Sequence, residues 1–160
     1  MSSSQSASAA VPELIKQINS LDPTVRASAE KALAALGAQA VDPLIAVFSS
    51  GSFFDRKWEA KHIAAGLLTA MGEPRAAALI AGYLCELAPT ISTSQDYLNK
   101  ARSAAEMLTT LLWQPTTPQE AGIYWFLRDD PVKCAASGKA GIKPLLDILK
   151  NEQVGNAYNK

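Results

Sequence analysis

The sequence predicts an all-α protein, and three observations carry that prediction. Apolar residues make up 48% of the chain and are mostly Ala and Leu, aromatics reach only 7%, and β-branched residues are thinly spread, a composition that favours close-packed helices over sheets. Apolar positions recur at three- and four-residue spacing between regularly placed helix start and stop signals. The same succession of signals returns along the chain, so the helices are expected as repeated hairpins.

Size and charge narrow the function classes. A length of 160 residues, with Lys+Arg 15 against Asp+Glu 15, fits one domain with no net charge to attract a polyanion. Such a domain buries roughly 70% of the surface its unfolded chain exposes, so its folding requires neither disulfides nor a structural metal. No stretch approaches the roughly 18 to 20 uninterrupted apolar residues of a bilayer crossing, so no membrane partner is expected. Residues 1–10, rich in Ser, Gln and Ala with no basic segment, read as a disordered tail and not as a secretory signal. Residues 11–152 are expected to form the folded domain and 153–160 a flexible C-terminal tail. Cys85 and Cys134 lie far apart with no C-x-x-C spacing, which predicts two buried or half-buried thiols in a reducing, cytoplasmic compartment.

The first marked helix opens at Asp22-Pro23 and closes at Gly37. Asp22 can accept from a first-turn amide, Pro23 loses nothing at the first helical position, and Gly37 can adopt the left-handed conformation of a helix terminus. Val25, Ala29, Ala32, Leu33 and Leu36 mark its apolar face. A second helix follows from about Ala40 to Ser49, with Pro43 near its first turn. Ser52 and Asp55 resemble a capping box for a helix over about 56–71, which Gly72 terminates.

Aligning Gly37 with Gly72 superposes Ala29 on Ala64, Leu33 on Leu68, Leu44 on Leu79 and Ile45 on Ile80, a spacing that implies a repeat. The partner helix spans about 73–88 and ends at Pro89. Thr93 with Asp96 reads as a cap for a helix over about 95–113 that Pro115 breaks, and Thr117, Pro118 and Glu120 repeat the start signal. Asp130-Pro131 leaves room only for a helix over about 118–127 and a short helical turn through Val132 to Ala136. Gly138, Ile142, Pro144, Leu145, Leu146 and Leu149 then echo Gly37, Val41, Pro43, Leu44, Ile45 and Phe48.

A hairpin of about 35 to 40 residues built from Asp22, Pro23, Val25, Arg26, Ala29, Ala32, Leu33, Leu36, Gly37, Ala40, Val41, Pro43, Leu44 and Ile45 resembles a HEAT repeat. The resemblance covers most of residues 11–150 and is closest at the two ends. It implies an α-α superhelix, an α-solenoid of about four hairpins, in which each unit buries its apolar face against its neighbours. It further implies that the second helices line a concave face carrying Asp42, Ala46, Arg75, Glu86, Lys143 and Asp147. Such faces bind proteins or peptides, so the expected role is a non-catalytic scaffold or adaptor without cofactor or metal, whose partner is another protein, a peptide or a second copy of the chain.

Several residues compete with this expectation as candidate sites. His62 is the only histidine, with no G-x-S-x-G or H-E-x-x-H motif beside it, and is expected at the surface or in helix packing. Gly138-Lys139-Ala140 fails as a phosphate loop, because Lys133 stands where an earlier glycine is required and Ala140 where a hydroxyl must hold magnesium. Arg56, Lys57 and Lys61 beside Phe53, Phe54 and Trp58 would be the face of a nucleic-acid-binding array, although Asp55 and Glu59 interleave with them. Ile123, Tyr124, Trp125, Phe126 and Leu127 fan out about 100° apart, so one packing face cannot bury all five. Tyr124 and Trp125 are accordingly candidates for an exposed patch. Resemblance to bilin lyases, which also use HEAT-like repeats, implies an alternative in which Cys134, Tyr124 and Asp129 border a pigment pocket.

Overall fold

The computed structural model describes residues 3–49, 58–142 and 145–146, and every regular element among them is helical. Residues 1–79 form one compact unit and residues 80–160 a second.

In the first unit, α1 spans Ser3–Gln17, α2 Pro23–Leu36, α3 Ala38–Ser49 and α4 Trp58–Ala70. Helix α1 packs on α2 and α3, α2 also packs on α3 and α4, and α3 packs on α4. Residues 3–10, expected as a tail, are therefore helical: Ser, Gln and Ala impose no break, and Ala has the highest helix propensity of any residue. Helix α2 is bounded as its sequence predicts. The Thr24 amide donates to Asp22 Oδ1 at 2.8 Å, Pro23 opens the helix, and Gly37 closes it at φ 54°. The Ser52–Asp55 cap expected for α4 lies outside the described residues.

The core of this unit is a set of small and branched side chains, Val11, Ile18, Ala29, Leu33, Ala40, Leu44, Val47, Ala64 and Leu68. Alanine on a packing face lets helix backbones approach closely, so modest side chains can fill the space between them. The expected superposition of Leu44 on Leu79 and of Ile45 on Ile80 is not matched by burial. Ala29 and Leu33 recur as Ala64 and Leu68, 35 positions on, but the buried stripe Ala40, Leu44, Val47 of α3 recurs as Ala76, Ile80, Tyr83, 36 positions on. Leu79 and Ile45 are only half-buried. The extra residue belongs to the turn through Pro74 and Arg75, which delays the start of α5, Ala76–Leu87, relative to Gly72.

Helix α5 carries the chain into the second unit, where a 3-10 helix, Ala88–Thr93, precedes α6, Gln95–Thr110, α7, Pro118–Leu127, and α8, Pro131–Ala136. Helix α6 packs on the 3-10 helix and on α7, and α7 packs on α8. The cap of α6 is Ser94, not Thr93. Ser94 is extended (φ −159°, ψ 138°) and accepts from the Asp96 amide at 3.2 Å, whereas Thr93 ends the 3-10 turn.

Three helices end in the same hydrogen-bonded motif, with a left-handed residue just past the helix. After α4, Gly72 and Glu73 donate to Thr69 and Leu68; after α6, Leu112 and Trp113 donate to Thr109 and Leu108; after α7, Asp129 and Asp130 donate to Phe126 and Trp125. Helix α6 consequently stops before Pro115 is reached. The left-handed residues are Gly72 (φ 67°), Leu112 (φ 55°) and Asp129 (φ 53°). Residues 138–142 are helical again, entered at Gly138 with φ 70°.

Candidate interaction surface

The candidate site is an apolar groove between α1 and α3. Val11, Leu14 and Ile15 of α1, with Ile18 in the turn just past its end, follow an i, i+3, i+4, i+7 pattern; Ile18 is fully buried, while Ile15 sits at the edge of the packed face. On α3, Ala40, Leu44 and Val47 turn inward, which leaves Gln39, Pro43 and Ala46, at i, i+4, i+7, on the flank about 100° round the helix. Between these walls lies a groove of about 460 Å³ lined by Val11, Pro12, Ile15, Gln39, Pro43 and Ala46. Its lining carries no charge, and each wall contains a proline inside its helix.

An ion network stands beside it. Asp42 precedes Pro43 on α3 and is one helical turn from both Gln39 and Ala46. From the turn between α4 and α5, Arg75 reaches Asp42 Oδ1 with its Nη1 at 3.0 Å. The same guanidinium is gripped by Glu73, with Nε to Oε1 at 2.9 Å and Nη2 to Oε2 at 3.2 Å, and the Arg75 amide donates to Oε1 as well. The planar fork matches the carboxylate on two bonds, so Arg75 is held in one orientation. The Arg75 bonds hold the Glu73 carboxyl below its usual range, and the Glu73 and Asp42 bonds push the guanidinium pKa upward. Arg75 and Asp42 nevertheless remain 59% and 82% exposed. Three residues assigned to the predicted concave face, Asp42, Ala46 and Arg75, thus come together here. Glu86 is exposed on α5, while Lys143 and Asp147 lie outside the described side chains.

Tyr124 does not belong to a surface. It is 3% exposed, and its ring meets Trp113 and Trp125 edge-on at centroid distances of 5.5 and 4.7 Å. Thr109 donates its hydroxyl hydrogen to the Ala105 carbonyl at 2.9 Å, so the Tyr124 hydroxyl donates to Thr109, also at 2.9 Å. The run from Ile123 to Leu127 divides as helical geometry requires: Ile123, Tyr124 and Leu127 are buried, and Trp125 and Phe126 are half-buried. Part of the Trp125 ring is covered by Lys133, whose Nζ lies 4.1 Å from the ring centroid.

The other candidate sites are placed as follows. Lys61 is only 8% exposed; Arg56 and Lys57 lie outside the described residues. His62 is half-buried on α4. Cys134 is buried, its thiol donating to the Gly122 carbonyl at 3.5 Å, and burial, then the charge of Asp130, pushes its pKa up, away from a reactive thiolate. Cys85 is raised by burial, then by Glu120 and Glu86. Asp129 is an exposed, left-handed turn residue. Among the described residues no three His, Cys, Asp or Glu side chains converge as metal ligands, and no helix is long and apolar enough to cross a membrane.

Sequence reasoning assigned no helix before Asp22 and so missed the α1 wall, Val11, Pro12 and Ile15. The periodicity of Val11, Leu14, Ile15 and Ile18 was the signal that could have found it. The chain matches no protein-family model, no curated protein and no solved structure.

Proposed function

We propose that the chain is a non-catalytic protein-binding module built from tandem helical hairpins of the HEAT-like kind, and that it uses the α1–α3 groove to hold its partner. The observation that carries this reading is the juxtaposition of an uncharged, open groove with an exposed, rigidly oriented Arg75–Asp42 pair beside it. An apolar centre with a polar rim is the usual anatomy of a protein-binding patch, and Arg is enriched among residues that dominate binding energy. The return of the α2 stripe in α4 and of the α3 stripe in α5 supports the repeat, and with it the superhelix that the sequence resembles.

Ala46→Arg fills the groove and Arg75→Glu reverses the rim charge, and both positions are exposed. Proteins retained by the immobilised chain from its native cell are expected to be lost from A46R and R75E and kept by K31E, a charge reversal on the exposed side of α2. Retention of the same set by all three variants would overturn the groove as the binding site.

A further inference from the structure

We draw no further inference here: the strongest candidate, the open apolar groove between α1 and α3 with Asp42 and Arg75 on its rim, carries none, because nothing in the structure shows what covers it and the rim presents an exposed carboxylate and an exposed guanidinium together, which selects no charge in a partner.

Discussion

Gly122 on α7 lies directly against the backbone of Gly141, with no space for a methyl group between them. A Cβ at position 122 would sit 2.6 Å from the Gly141 Cα and overlap its carbonyl oxygen; one at position 141 would lie 2.6 Å from the Pro118 carbonyl oxygen and overlap the Ser137 side chain. The obstructing atoms are mostly backbone, which cannot rotate away. Overpacking of this kind costs about 1–3 kcal/mol or more. G122A and G141A are each expected to lower the unfolding free energy by that margin, read from the shift in urea midpoint, and the double variant by less than the sum, since the two sites touch.

Tyr124 gives the aromatic cluster a directed bond, to the Thr109 hydroxyl. Y124F is expected to lower unfolding free energy by about 1 kcal/mol, the usual net worth of a hydrogen bond, because it leaves the Thr109 hydroxyl without its donor. Capture of a partner through the α1–α3 groove should be unchanged. Equal loss of binding and stability would put Tyr124 back at an interface.

The N-terminus of α7 carries a complete capping box: the Glu120 amide donates to Thr117 Oγ1 at 3.2 Å, and Glu120 Oε2 receives the amides of Thr116 and Thr117 at 2.8 and 3.0 Å. T117A is expected to cost about 1 kcal/mol and T117G only a few tenths, readable as a graded shift in thermal midpoint.

Acid sensitivity follows from the same carboxylate. Burial pushes Glu120 up, but the hydrogen bonds from Thr116 and Thr117 outweigh it, so its pKa falls below the ordinary 4.5. Asp22 and Asp130 are lowered from 3.8 mainly by the amides of Thr24 and Lys133. A carboxyl whose pKa is depressed in the folded state adds stability above its unfolded value, and that contribution is lost as pH falls through the folded value. Stability measured by urea unfolding should therefore be flat from pH 7 to about 5 and decline below about 4.5. E120Q should be less stable at pH 7 and lose less than the wild-type chain on acidification.

Much of this was legible in the sequence because helix ends advertise themselves. Asp22-Pro23, Thr117-Pro118 with Glu120, and Asp130-Pro131 each place a side-chain acceptor beside a residue that cannot donate, and all three caps form. Leu112 and Asp129 escaped notice because a left-handed position is announced only by glycine; with any other residue the turn is decided by the amides and carbonyls around it. The swap of Thr93 for Ser94 has a similar origin, since two adjacent hydroxyls offer the same cap and the preceding 3-10 turn decides between them. Tyr124 could not be assigned from periodicity alone. Five consecutive large apolar residues satisfy any face, and only the placement of Thr109 and Trp113 selects the inward one.

The two helix-interior prolines of the groove, Pro12 and Pro43, bring a polar consequence to an apolar site. Each lacks the N–H that would bond the carbonyl four residues earlier, so the main-chain oxygens of Ser8 and Gln39 have no α-helical donor. Gln39 is itself a lining residue, so the ladder of backbone bonds is broken within the wall that a bound segment would meet.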